Sequence, residues 1–135
     1  MPILVKRLQP GQDLYLELKK LVTDCKINAG VILCLVGSLK TANLRLANQS
    51  KPTSIDGPLE IVSGTGTLST EGLHVHASVS DSTGKTTGGH LVEGCKVYTT
   101  CEIVVHDFSN EWKFERVLDV STGYPELKGI QLHLK

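Results

Sequence analysis

At 135 residues, 40% apolar and 21% charged, the chain has the size and composition of one globular domain spanning residues 1–135, with no need of disulfide staples. Fourteen basic residues balance fourteen acidic ones, which argues against the basic footprint of a nucleic-acid binder. No stretch approaches the ~18 apolar residues of a membrane span, and Met1–Lys6 is too short for a signal peptide, so a cytoplasmic location is expected.

Ile3 to Leu8 reads as a first strand, ended by Pro10 and Gly11. Leu14, Leu18, Leu21, Val22 and Cys25 then recur at three and four residues, which predicts a long N-terminal helix. Asp13 lies in its opening turn, where a carboxylate suits the helix dipole, and Gly30 is the expected stop. Val31 to Val36 is a continuous apolar run, the pattern of a strand buried on both faces. Asn48 to Gly57 reads as a polar loop. Gly64 and Gly66 interrupt the strand Leu59–Leu68, which suggests a bulge or a close backbone approach. Leu73 to Val79 alternates cleanly, with Leu73, Val75, Ala77 and Val79 on one side and His74, His76, Ser78 and Ser80 on the other. Asp81 to Lys85 is a hairpin turn. Strands at Val97–Val105, Trp112–Val120 and through Ile130, Leu132 and Leu134 complete the chain. The fold class is therefore α+β, a mainly antiparallel sheet of about seven strands packed with one long helix. Aromatic residues make up 4% of the chain, so Leu, Val and Ile must build the core. Cys25, Cys34, Cys95 and Cys101 form no Cys-x-x-Cys pair and read as reduced, structural thiols.

His74 and His76 are the strongest chemical signal. Two residues along a strand span about 6.6 Å and share a face, so two imidazoles can converge on one metal. The turn at Asp81–Lys85 brings the chain back, and Gly88-Gly89 lets it approach closely, which makes His90 the natural third ligand. Three histidines leave one position open on zinc or another divalent transition metal, as catalytic rather than structural sites do. A polar strand face without metal is the plainer alternative. Glu60 and Glu102 lie within strand patterns and are candidates to hydrogen-bond a ligand histidine from behind; outward-facing carboxylates would look the same. His106 and His133 have no evident partner and read as surface residues. No nucleophile elbow or phosphate-binding loop is present.

Several stretches resemble the plants-and-prokaryotes-conserved (PPC) domain in its stand-alone prokaryotic form. They are Arg7-Leu8-Gln9-Pro10-Gly11-Gln12-Asp13-Leu14, Gly37-Ser38-Leu39 with Leu44-Arg45, and Leu59-Glu60-Ile61. The most specific are Gly72-Leu73-His74-Val75-His76 and Gly88-Gly89-His90-Leu91. The resemblance implies a homotrimer and a bound metal, zinc first, at His74, His76 and His90. Two departures limit what it carries over. The Arg-Gly-Arg-Pro core of the plant AT-hook is absent, and the plant contact motif Gly-Arg-Phe-Glu-Ile-Leu stands here as Gly57-Pro58-Leu59-Glu60-Ile61-Val62. The expected function is thus a metal-binding trimer with an undefined small-ligand or metal-dependent activity. The alternative is an accessory module of transcription that acts through protein contacts or weak DNA binding.

Overall fold

The computed structural model describes residues 2–133. In chain order its elements are β1 (Ile3–Leu8), α1 (Leu14–Asp24), β2 (Gly30–Arg45), β3 (Thr53–Ser69), β4 (Gly72–Ser80), β5 (Thr86–Leu91), β6 (Lys96–Asp107), β7 (Trp112–Asp119) and β8 (Tyr124–Gln131). All pairings between these strands are antiparallel. The expected mainly antiparallel sheet with a packed helix is present, with eight strands instead of about seven. Leu134, assigned above to the closing strand, lies outside the described residues, and β8 ends at Gln131.

The helix is neither long nor N-terminal: it has 11 residues and follows β1. Its start was legible, because the Asp13 side chain caps it by accepting a hydrogen bond from Leu16 N at 3.1 Å. Its end was not. Cys25 forms the C-cap and Lys26 turns the backbone with φ 52°, so the helix stops well before Gly30. That glycine instead opens β2, where a Cβ would stand 2.8 Å from Ile27 Cγ2. Leu14, Leu18 and Val22 form the helix's buried stripe. They pack into a core built from Leu, Val and Ile, including Leu39, Leu44, Leu68, Val75, Leu91 and Ile103. Cys95 and Cys101 are buried in it, whereas Cys25 is exposed.

The apolar run Val31–Val36 is not buried on both faces. Ile32 and Leu35 enter the core, but Leu33 and Val36 are exposed. The helix covers the core side of the sheet, and among the described residues none buries Leu33 or Val36. The segment expected to be a polar loop is shorter than predicted, since β3 begins at Thr53.

The main sheet runs β1-β6-β2-β3-β4-β5, and its curl brings β5 round to the far end of β2, where Leu44 pairs with Leu91 and Arg45 with His90. This closure needs a close approach at Gly89, where a Cβ would meet the Arg45 carbonyl oxygen at 2.7 Å. The separate β7–β8 hairpin docks against the sheet. Phe114 N donates to the Asn28 carbonyl at 2.9 Å, and Arg116 Nη2 donates to Thr67 Oγ1 at 2.9 Å. Phe108 bridges Phe114 and His106 through edge-to-face ring contacts at this junction.

Candidate metal centre

The alternation in β4 sorts its residues as expected. Val75, Ala77 and Val79 are buried, while His74 and His76 are exposed on the opposite face. The turn then fixes how β5 returns. Asp81 N donates to the Lys85 carbonyl at 2.9 Å, and Asp81 Oδ1 accepts from Thr83 N at 2.9 Å and Lys85 N at 3.1 Å. The resulting register places His90 directly opposite His76. Directly paired residues project to the same side of an antiparallel sheet, so all three imidazoles share one face.

Their ring centroids are 4.9 to 5.6 Å apart. One nitrogen from each ring falls within 4.8 Å of the others, and the Nε2 atoms of His74 and His76 are 3.2 Å apart. Two ligands bound at 2.0–2.1 Å to a tetrahedral zinc would be separated by about 3.3 Å. His90 Nδ1 is buried and has no hydrogen-bond partner, a state that costs about 1–3 kcal/mol unless something else satisfies it. The donor set and its spacing fit a divalent transition metal, with His90 needing to close in slightly.

The electrostatics favour the neutral, ligand-competent form of His90 and His74. Burial, followed by Arg45, His74 and His76, pushes the His90 pKa down to about 4. Burial, then His76 and Arg116, also holds His74 below its ordinary value, with Glu126 opposing. The causes agree in both cases: a proton on either ring would sit in a partly dry site beside other cations.

The triad lines a cavity of about 960 Å³. Arg45 on β2 and Arg116 on β7 also line it, as do Tyr124 and Glu126 of β8. Neither arginine was identified from the sequence as a site residue, although Leu44-Arg45 is one of the resembling stretches. Their placement depends on the β2–β5 closure and on the docking of the hairpin, which no local pattern encodes. Glu60 and Glu102 are exposed on β3 and β6 and do not line the cavity. His133 is exposed as expected. His106 is half-buried, with its Nε2 enclosed and without a partner, rather than a plain surface residue.

The family described as the Plants and Prokaryotes Conserved (PCC) domain matches residues 1–109. Over 121 residues, 90% of the chain, the sequence is 47% identical to the Bifunctional protein GlmU of Synechococcus sp. (strain JA-3-3Ab). The match spans 19% of that relative's length. A hypothetical protein from Salmonella cholerae-suis has a solved structure 36% identical to the chain, with a TM-score of 0.93 over 96% of this chain and 94% of its own. A metal-containing protein from Archaeoglobus fulgidus is 26% identical, with a TM-score of 0.80 over 95% of this chain and 94% of its own.

Proposed function

The chain belongs to the Plants and Prokaryotes Conserved domain family, and on that premise we propose that it holds a divalent transition metal, zinc first, on His74, His76 and His90. The observation that carries this reading is the convergence of three imidazole nitrogens within 4.8 Å at the wall of a large cavity. The metal-containing relative from Archaeoglobus, similar over nearly its whole length, supports it. Three protein ligands leave a fourth position open to the cavity, so the site is suited to binding a small ligand or acting on one. Zinc there would supply Lewis acidity toward an oxygen of that ligand or of water. The chain's own part is positional. The β4 pleat aims His74 and His76 together, and the Gly89 approach draws His90 in. The hairpin β7–β8 adds Arg116, Tyr124 and Glu126 to the cavity wall.

The same reading takes residues 1–135 as one domain. The hairpin lies beyond the matched residues 1–109, yet it is tied to β3 through Arg116 and Thr67 and completes the cavity wall. It also takes the assembly to be a homotrimer. Ile3, Val5 and Val36 stand exposed on the sheet face away from the core, with Val5 at 76% exposure, and such a face calls for a covering partner. No helix among the described residues is long and apolar enough to cross a membrane. The four free cysteines suit the reducing conditions of the cytoplasm. DNA enters this reading only as a weak or partner-mediated contact. A formal charge of +0 provides little of the counterion release on which duplex affinity rests.

Elemental analysis after exposure to a panel of divalent metals tests the proposal. The expected result is one zinc per chain, in particles of about three times the 14.6 kDa chain mass by light scattering. Replacing His74, His76 or His90 by Ala should each strip the metal and leave the fold intact, because the buried face of β4 is untouched; His106→Ala should retain it. Stoichiometric zinc in the triple variant, or none in the wild type at neutral pH, would refute the site.

A further inference from the structure

Arg45, His90 and His76 form one row across three strands. Arg45 pairs with His90 between β2 and β5, and His90 pairs with His76 between β5 and β4. All three therefore project to the same side. Thr67 pairs with His74 in the neighbouring row, and its hydroxyl accepts from the Arg116 guanidinium at 2.9 Å. Arg45 and Arg116 thus line the same cavity as the triad, one from β2 and the other from the hairpin. Neither takes part in an ion pair among the described residues. That is unusual for half-buried arginines, whose fork of donors pairs readily with carboxylates.

The two carboxylates that line the cavity, Glu71 and Glu126, form no ion pair with either arginine. Glu71 turns to the hairpin backbone, where its Oε1 accepts from Arg116 N at 3.2 Å. Glu126 is exposed on β8. The cavity lining carries two arginines against two glutamates, and a divalent metal on the triad would add positive charge to it. Leu73, Tyr124 and Pro125 give the same cavity an apolar wall, and its volume of about 960 Å³ is at the upper end of ordinary ligand pockets.

We infer that the ligand of this site is a small organic carboxylate: its anionic head pairs with Arg45 and Arg116 beside the open metal position, and its apolar body lies against Tyr124 and Pro125. This rests on the metal reading for the ligand's oxygen contact, but the arginine contacts stand without it. Two of the residues it uses, Arg116 and Tyr124, belong to the hairpin outside the matched family segment, so that hairpin sets the ligand's class.

The test titrates benzoate and its neutral isostere benzamide into the zinc-treated protein, read by amide and arginine Nε chemical shifts in nuclear magnetic resonance. Benzoate should perturb the Gly88, Gly89 and arginine signals in a saturable way, and benzamide should bind at least about tenfold more weakly. Arg45→Gln and Arg116→Gln should each weaken benzoate by about tenfold with zinc content unchanged. Arg45→Gln is the cleaner variant, because Arg116 also ties the hairpin to Thr67. Equal binding of benzoate and benzamide, or benzoate affinity indifferent to both substitutions, overturns the inference. Metal content is measured separately on the same samples. If the wild type takes up no metal, the metal reading falls, and the benzoate–benzamide contrast on that metal-free protein still decides for or against the arginine site.

Discussion

His90 and Leu91 are neighbours on β5 and face opposite environments. Leu91 is 1% exposed among Leu44 and the rest of the aliphatic core. His90 looks into the cavity with a buried nitrogen that has no hydrogen-bond partner among the described residues. The contrast extends beyond these two residues. On the core side, even the buried carboxylate of Asp13 is fully used: it caps α1 through Leu16 N and accepts from Gly94 N at 2.8 Å, with Lys96 Nζ at 3.7 Å. On the cavity side, three imidazoles crowd together and two guanidinium groups form no ion pair among the described residues. Natural folds pair their buried polar groups almost everywhere, and where local rules are broken the broken positions are expected at functional sites. One face of the sheet is built for stability, and the other holds groups that the fold alone leaves incomplete.

The sharpest way to break that comparison is to truncate adjacent residues on the same strand. Leu91→Ala should cost about 2–5 kcal/mol of unfolding free energy, the usual range for emptying a packed leucine site. The folded fraction should still carry its metal. His90→Ala should do the reverse: the metal-free protein should be no less stable than the wild type, because the change removes a buried nitrogen without a partner, and metal uptake should be lost. Denaturant midpoints and elemental analysis on the two variants check both halves. If Leu91→Ala removes the metal from folded protein, or His90→Ala destabilises the metal-free chain as much as Leu91→Ala does, the division of labour between the faces fails.

The histidine side of this picture was legible in the sequence because it depends on short-range rules. Period-two alternation fixed the common face of His74 and His76, and a turn of readable length carried His90 back opposite them. The arginines depended on long-range facts: the curl that closes β5 onto β2, and the docking of a hairpin distant in sequence. Glu60 and Glu102 show the same limit from the other direction. They occupy strand positions, as their patterns say, but which strand faces which cavity is a property of topology. The exposed side of Val31–Val36 was misread for a related reason. A continuous apolar run has the same pattern whether its second face is covered within the chain or by another copy. The helix length was overestimated because Gly30 reads as its stop, whereas Cys25 already caps it and Lys26 enters the left-handed region. Local spacing records a face, not where the backbone leaves it.

A smaller effect sharpens the comparison further, because the two sides of the molecule should differ in their response to acid. The cavity's register is held by two turns that use an aspartate as their acceptor. Asp81 Oδ1 gathers Thr83 N, Thr83 Oγ1 and Lys85 N. Asp119 Oδ1 gathers Ser121 N and Ser121 Oγ. The hydrogen bonds from Thr83 and Ser121, first the side chain and then the backbone, hold each carboxyl below its ordinary 3.8. The folded state therefore favours the ionised form. The sign follows from linkage: each turn's contribution is complete above the unfolded value of 3.8 and is lost as the pH falls through the lower folded value. The β6 strand around Ile103 and Val105 is held instead by aliphatic burial and backbone ladders. Amide hydrogen exchange should show this directly on metal-free protein. Relative to about pH 5, protection of the Thr83, Lys85 and Ser121 amides should fall as the solution approaches about pH 2, with Ile103 and Val105 in β6 still protected. Asp81→Ala should make the β4–β5 turn pH-independent and leave the β7–β8 turn as before. Turn amides that keep full protection at about pH 2, or core amides that open first, would show that the cavity side is not the acid-labile half.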